Sequence, residues 1–439
     1  MARYAPEPPQ PISLPTFDDA LGRRIIELHV WAVEQGLRGV GAEALFDGFC
    51  QRLVAAGVPL WRAFTGMRTL HPQWAGYGYR WRRDRNAIEP ASWQREEDLE
   101  PTWSNSPFAH LEREVAGTSA RESHLRRRLA GREAALDFPV LAEFAAAGAT
   151  DYFALLLAFG AAGDPSYGTG VAYSFLTQHP EGFADDDLTL LKAVLPAVSL
   201  AMMSHATHTI AGSLLAAYLG QDAGRRVHAG AIERGSVESI RAVLWYADLR
   251  GFTAVADSSL GPVVVELLDE VFETLAAALR PRGGEVLKFI GDGLLAIFPV
   301  TAPQRASVCR AALDAAAEAI EALETLNEAR RRAGKPVAAV DIALHLGEVL
   351  YGNVGAADRL DFTVIGPAVN EVARMETLCE PLGRPVLVSA ELAAAADAGA
   401  RLEPLGRHAL RGVRAERELF ALVLDAVPDR SLADGTKPT

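Results

Sequence analysis

The sequence has little cysteine, no long uncharged hydrophobic run and no secretory leader. Its three cysteines, Cys50, Cys309 and Cys379, lie far apart and without CxxC spacing. They form neither a disulfide framework nor a thiolate metal site, so we expect a reducing, cytoplasmic location. The apolar run closest to a membrane span, at 188–203, is short and contains Lys192, which predicts a buried helix and no membrane span. The first residues are rich in proline and lack the apolar core of a signal peptide.

Positive charge is also in short supply. The chain has 43 lysines and arginines against 56 aspartates and glutamates, a formal net charge of -13. This balance argues against a protein that coats DNA or RNA, so we expect no nucleic-acid partner. It does not exclude a nucleotide, because a local basic pocket or a metal ion can neutralise phosphates on an acidic protein.

What is present is ordinary globular composition: 49% of the 439 residues are hydrophobic and 23% are charged. A chain of this length predicts about two to three domains. Changes of pattern place a disordered arm at 1–16, where five prolines block regular structure. They then place an α+β domain at 17–203, a helical, glycine-containing connector at 204–237, a second domain at 238–425 and a polar tail at 426–439.

The first of these domains combines helices with buried strands. Two amphipathic helices are followed by an aromatic section at 61–83, whose alternation predicts a hairpin. The charged residues 112–132 predict a helix, and the apolar runs at 151–159 and 170–178 predict two buried strands. This order of helix, hairpin, further strands and closing helix resembles that of GAF/PAS-type sensory domains.

From residue 242 the pattern becomes strand–helix–strand–strand–helix–strand, the plan of the split βαβ or ferredoxin-like fold. The strands are predicted at RAVLWYADL, on both sides of the Gly-Asp-Gly turn in EVLKFIGDGLLAIFP, and at VAAVDIALHLG. The helices are predicted at 261–279 and 303–332. The fold class is therefore α+β in both domains.

Two aspartates of the second domain indicate a metal site. Asp248 ends the strand VLWYAD, and Asp292 lies at the tip of the KFIGDG hairpin. If the first and second strands of the unit pair side by side, both carboxylates meet at one sheet edge. Such a pair suits Mg²⁺, which proteins hold with one or two carboxylates plus substrate phosphates. Taken alone, Asp292 would be only a turn residue, because Asp-Gly is common in hairpins.

Three sequence blocks carry a resemblance to a known family. They are YADLRGFT at 246–253, KFIGDG at 288–293 and FTVIGPAVNEVAR at 362–374. In motif and order they resemble the class III adenylate/guanylate cyclase catalytic domain, over residues 238–425. Thr363 is similar to the threonine of one bacterial adenylate cyclase subgroup, the Thr type, where many relatives carry aspartate. Pro367 departs from the family, in which many members have Asp or Asn.

The resemblance implies roles for the polar residues of these blocks. Asp248 and Asp292, with the Leu249 carbonyl, would bind two ions of Mg²⁺ or Mn²⁺. Asn370 would orient the ribose, and Arg374 would stabilise charge on the α-phosphate. The last two lie four residues apart, so on a helix they share a face.

The same resemblance indicates which residues would bind the base and the phosphates. Lys288 would donate to adenine N1, with Thr363 as its partner, whereas guanylate cyclases of the family usually carry Glu and Cys there. Guanine has a hydrogen on N1 and would reject a donor, so the pair points to ATP. The remaining candidates for substrate binding are the turn and helix start at Gly251, Phe252 and Thr253, and Arg411 for the terminal phosphates.

The expected protein is an adenylate cyclase that converts ATP to 3′,5′-cyclic AMP and pyrophosphate by two-metal phosphoryl transfer, regulated by its sensory domain. In the family, sites form between head-to-tail subunits. This implies a homodimer in which each site takes its two aspartates from one subunit. The other subunit would supply Lys288, Thr363, Asn370 and Arg374. The alternatives are a guanylate cyclase, which the lysine disfavours, and an inactive regulatory or interaction module, which the full set of polar residues disfavours.

Overall fold

The computed structural model describes residues 19–69, 74–85, 88–94, 103–116, 120–159, 170–398 and 401–424. The predicted arm at 1–16 and tail at 426–439 lie outside these residues. The chain divides into two compact units, at 1–214 and 215–439.

The N-terminal unit contains a six-stranded antiparallel sheet. Its strands are β1 (Arg62–Arg68), β2 (Trp74–Arg82), β3 (Glu89–Gln94), β4 (Glu122–Arg128), β5 (Asp151–Leu157) and β6 (Val171–Thr177), in the order β3-β2-β1-β6-β5-β4. Its helices are α1 (Asp19–Leu37), α2 (Ala42–Ala55), α3 (Pro107–Val115), α4 (Pro139–Ala146) and α5 (Asp185–Leu219). The hairpin predicted at 61–83 is β1 and β2, and the two predicted buried strands are β5 and β6.

Both faces of this sheet are covered, which explains why β5 and β6 are apolar without alternation. Neighbouring residues of a strand point to opposite faces. Phe153 accordingly packs with α1, α2 and α5, whereas Tyr152 packs with α3 and α4.

The helix predicted at 112–132 is wrong. Helix α3 ends at Val115, and Glu122–Arg128 form strand β4. The strand alternates, with Ser123 and Leu125 buried, and its arginines have carboxylate partners: Arg126 pairs with the buried Asp151. Ion pairs supplied by distant segments thus stabilise a charged strand that local sequence does not reveal.

One helix in the described part of the chain, α5, has the length and apolar character of a membrane span. Its Leu190, Leu191, Val194 and Leu195 side chains lie in the core of the N-terminal unit, and a buried core helix has the same composition as a span. The helix ends at Leu219, before Gly220, whose φ of 91° is left-handed.

The C-terminal unit contains an eight-stranded sheet. Its strands are β7 (Val237–Arg250), β8 (Glu285–Ile290), β9 (Gly293–Pro299), β10 (Ala339–Gly355), β11 (Leu360–Ile365), β12 (Val386–Ser389), β13 (Leu402–His408) and β14 (Arg417–Leu422). Its helices are α6 (Gln221–His228), α7 (Phe252–Ser258), α8 (Gly261–Leu279), α9 (Arg305–Arg332), α10 (Pro367–Glu376), α11 (Cys379–Leu382) and α12 (Ala390–Ala396). The order is β13-β14-β12-β10-β7-β9-β8, and β11 pairs with β10.

The middle of this sheet is the predicted split βαβ unit, with α8 and α9 as its two helices. One detail of the prediction is wrong: the first strand of the unit, β7, does not pair with the second, β8. It pairs with the third, β9, and with β10. The crossover through α8 places β8 one strand away from β7 and leaves a position open between them. The tight β8–β9 hairpin then places β9 in that position, where it pairs with both.

The two faces of this sheet have separate cores. Helices α8, α9 and α12 pack on one face, around Trp245 and Phe298. Helices α6, α10 and α11 pack on the other, around Leu244 and Val372. Asp248 has the strand parity of Leu244, so it lies on the face that α10 covers.

Candidate active site

The β7–β9 pairing brings the two predicted metal-binding aspartates together. Register pairs Ala247 with Leu294, so the two-residue turn that contains Asp292 ends beside Asp248. A Cβ atom on Gly293 would lie 2.8 Å from Asp248 Oδ1. Glycine at this position therefore allows the turn to approach the carboxylate.

Two further carboxyls lie near Asp248. Asp341 is its direct cross-strand neighbour on β10. Burial, followed by the charges of Asp292 and Asp341, raises the pKa of Asp248 to about 6. Glu376 ends α10, and burial with the charges of Asp248, Asp341 and Asp292 raises its pKa to about 7. Sequence analysis missed both; strand register would reveal Asp341, but no local signal marks Glu376.

In the described part of the chain, the cation near these carboxyls is Arg250, and it is already paired. Arg250 Nε donates to Asp341 Oδ2 at 3.0 Å. Within the described residues, neither Asp248 nor Asp292 has an ion-pair partner. Two neighbouring carboxylates without a counter-charge fit a divalent cation. No group of three His, Cys, Asp or Glu side chains in the described part could hold an ion unaided, so further ligands would have to be backbone or substrate oxygens.

The residues that follow Asp248 form the predicted turn and helix start. The Leu249 side chain points into the core on the opposite face of the sheet. Gly251 has a left-handed φ of 68° and precedes α7, which explains glycine at that position. Phe252 packs against the core, and Thr253 is exposed.

The two residues predicted to read the base lie at one place on the sheet. Lys288 on β8 donates to the carboxylate of Asp361 on β11. Asp361 and Thr363 are two residues apart on one strand, so they share a face. Thr363 is 6% exposed, and its Oγ1 has no hydrogen-bond partner in the described structure. A buried, unpaired hydroxyl costs about 1–3 kcal/mol, which a bound ligand could recover. Asp361 was missed from the sequence, although its spacing from Thr363 was visible.

The other predicted residues lie on or near α10. Pro367 occupies the first turn of this helix, where its missing N–H leaves no bond unmade. Asn370 is exposed, and Arg374 donates to the backbone carbonyl of Arg411, in the exposed turn between β13 and β14. In the described part of the chain, no hydrogen bond or ion pair joins Asn370 or Arg374 to the aspartates.

A cluster of titratable side chains around a buried histidine lies behind α10. His345 on β10 is 5% exposed; its Nε2 lies 3.9 Å from Glu371 Oε2 and its Nδ1 3.8 Å from Glu391 Oε2. Arg417 donates two hydrogen bonds to Glu371, at 3.0 and 2.8 Å. Because Glu371 directly follows Asn370, the cluster fixes the helix that carries Asn370 and Arg374.

Comparison with known proteins agrees with these features. Residues 236–423 match the family described as the adenylate and guanylate cyclase catalytic domain. Adenylate cyclase 1 of Rhizobium meliloti (strain 1021) is 30% identical over 181 residues, which cover 40% of this chain and 27% of that protein. The adenylate cyclase of Anabaena cylindrica is 32% identical over 162 residues, covering 36% of this chain and 31% of that protein. The chain thus spans about a third or less of these relatives.

Two solved structures are similar to the same region. The adenylyl cyclase CyaB from P. aeruginosa is 23% identical with a TM-score of 0.40, covering 44% of this chain and 98% of that one. The guanylyl cyclase Cya2 is 26% identical with a TM-score of 0.38, covering 44% and 97%.

Residues 236–423 thus match the family that the three sequence blocks resemble, the adenylate and guanylate cyclase catalytic domain. The GAF/PAS-like character of the N-terminal unit stays a prediction.

Proposed function

We propose that the C-terminal domain converts ATP to 3′,5′-cyclic AMP and pyrophosphate. The observation that carries this proposal is the unpaired Thr363 hydroxyl on the strand face where Lys288 is held. An ammonium group only donates, which suits adenine N1, and a hydroxyl can accept from the adenine amino group. Guanine would place its N1–H against the lysine and leave both groups unpaired.

The residues of the chain divide the chemical work. Divalent ions at Asp248 and Asp292 would neutralise the triphosphate and lower the pKa of the ribose 3′-hydroxyl. Asn370 holds the ribose in place, and the Arg374 guanidinium binds the α-phosphate oxygens, where charge grows in the transition state. The ribose 3′-hydroxyl gives up its proton to solvent, its oxygen bonds to the α-phosphorus as the bond to the bridging oxygen of the β-phosphate breaks, and pyrophosphate leaves. Gly251, Phe252 and Thr253 form a turn suited to phosphate, and Arg411 remains the candidate for the terminal phosphates.

The proposed active form is a homodimer with two composite sites. The lack of contact between Arg374 and the aspartates in the described chain supports a division of the site between subunits. In each site, Asp248 and Asp292 come from one protomer. Its partner supplies Lys288, Thr363, Asn370 and Arg374. The N-terminal unit is proposed to regulate this activity, in the cytoplasm; the three buried free cysteines fit a reducing location.

A nucleotide assay tests the proposal. The purified chain is incubated with ATP or GTP and with Mg²⁺ or Mn²⁺, and products are separated by chromatography. We expect cyclic AMP from ATP, little product from GTP, and no activity with a chelator. Cyclic GMP as the main product would overturn the base assignment, and absence of both products would favour the inactive module.

A further inference from the structure

The sheet of the N-terminal unit places arginines against one another. Arg62 on β1 is the direct cross-strand neighbour of Arg82 on β2, and the next pair on the same face is Phe64 with Arg80. Arg62 also pairs in register with Leu176, which lies in the core beneath α3 and α4. Like charges directly opposite on adjacent strands destabilise a sheet, so this pairing needs a reason.

Acidic partners account for only part of the cluster. Arg82 donates to Asp84 at 3.0 and 2.9 Å, which occupies that carboxylate. Neither Arg62 nor Arg80 has an ion pair anywhere in the described structure. Burial and then the charges of Arg82, Arg80 and a third neighbour, Arg85, lower the pKa of Arg62, with Asp84 acting in the opposite direction. Arg62 is therefore a half-buried cation in a positive environment.

Aromatic rings flank the same guanidinium groups. The Arg62 guanidinium carbon lies 5.7 Å from the centre of the Trp61 ring and 5.3 Å from that of Phe144 on α4. The Arg82 guanidinium lies 6.0 Å from the same indole. Ring contacts attract a cation but supply no net negative charge, so they leave the excess of positive charge in place.

We propose that Arg62, Arg80, Arg82, Trp61 and Phe144 form a binding site for a small organic anion, here named the arginine site. A carboxylate or phosphate matches the planar guanidinium fork and can bridge two of them. An apolar or aromatic part of the same molecule would lie against the Trp61 and Phe144 rings. The site lies outside residues 236–423, and its test does not depend on the proposed activity.

Thermal unfolding of the full chain at low ionic strength tests this site. The probes are benzoate and phenyl phosphate, each compared with chloride at equal ionic strength. We expect at least one probe to raise the melting temperature, and the one that acts identifies carboxylate or phosphate as the bound group. Arg62→Gln should raise the apparent Kd of that probe at least about tenfold, because a charge-assisted pair of hydrogen bonds is lost. Arg62→Lys keeps the charge and should still raise that Kd, because the guanidinium fork is lost.

The stability of the variants without ligand separates binding from a structural role. Removing Arg62 relieves repulsion, so Arg62→Gln without probe should be at least as stable as the wild type. Arg23→Gln, which alters an exposed arginine on α1, is the control and should leave the probe effect unchanged. The proposal is overturned if neither probe acts beyond chloride, or if Arg62→Gln responds to the probes as the wild type does. It is also overturned if Arg62→Gln without probe melts lower than the wild type, because Arg62 would then have a structural role.

Discussion

Asp248 has a carboxylate neighbour on each side: Asp292 at the hairpin turn and Asp341 on the next strand. Glu376 adds a fourth carboxyl, and among the described residues the charge that offsets them is that of Arg250. Burial first, and then the neighbouring carboxylates, raise the pKa of Asp248 to about 6 and that of Glu376 to about 7, so keeping both groups ionised costs stability. A fold that keeps this arrangement has a use for it, and binding of a divalent cation supplies one.

Asp292→Ala should lower kcat by at least about 100-fold at saturating Mg²⁺, since a lost ligand removes several kcal/mol of transition-state stabilisation. Its melting temperature should not fall, because the substitution removes a charge that repels Asp248. Asp358→Asn, in the exposed turn before β11, is the control and should keep wild-type turnover. Near-normal turnover of the Asp292 variant would contradict the assignment of this metal site.

The proposed base preference rests on the strand face that holds Lys288 and Thr363. Lys288→Glu with Thr363→Cys offers acceptors to guanine, but the new carboxylate would face Asp361, which now binds the lysine. The design therefore needs Asp361→Asn as well. The ratio of kcat/KM for ATP to that for GTP should then fall at least about tenfold, because each unmatched buried polar group costs about 1–3 kcal/mol.

Steady-state assays with both nucleotides measure this ratio. Lys335→Glu, which reverses a lysine paired with Glu266 outside the site, should leave it unchanged. An unaltered ratio in an active triple variant would mean that these residues do not read the base.

A buried histidine, His345, lies beside helix α10. Burial lowers the pKa of His345 from its usual 6.5, with Glu391 and Glu371 opposing and Arg417 adding to the effect. The neutral ring is thus favoured in the folded state, and the unfolded chain takes up the proton first as the pH falls. The stability from His345 is complete above about pH 6.5 and is lost as the pH falls toward its lowered folded pKa.

The melting temperature of the wild type should therefore fall below about pH 6.5 more steeply than that of His345→Gln. Expressed as the free energy of unfolding, the two proteins can differ in slope by at most about 1.4 kcal/mol per pH unit, the value for one proton. Thermal unfolding between about pH 5 and 7.5 measures it. His29→Gln, on the exposed side of α1, should keep the wild-type slope; equal slopes in all three proteins would show that His345 is not responsible.

Strand order explains how two separate groups of candidate site residues come together. The aspartates meet because β9, the third strand of the split βαβ unit, lies between β7 and β8. The residues proposed to read the base meet because β11 folds back along β10 and reaches β8. No bond in the described structure joins Arg374 to the aspartates, which agrees with the proposal that a complete site needs a second copy of the chain.

Complementation between variants tests the composite site. Asp292→Ala and Arg374→Ala should each be inactive as homodimers, because each damages a different half. In a mixed dimer, one site collects both damaged halves and the other is intact. Random exchange makes half of the dimers mixed, so activity should recover to about one quarter of wild type per total protein, by the symmetry of a two-fold interface.

The variants must be co-expressed so that subunits exchange. The wild type, handled identically, is the control for losses during purification. If isolated mixed dimers stay inactive while the wild type is active, the two-subunit site is wrong, and Asp292 and Arg374 would have to act within one chain.

Local pattern was enough to predict the α+β class, helix α8 over 261–279 and the hairpin with Asp292 at its turn, because periodicity and turn chemistry are written in neighbouring residues. Three motif blocks were enough to indicate the cyclase family. The pairing of β7 with β9, the strand at 122–128 and the roles of Asp341 and Asp361 needed the tertiary structure. Those features depend on contacts between residues far apart in the chain, and a carboxylate's partner is fixed by strand register and packing, which no local pattern specifies.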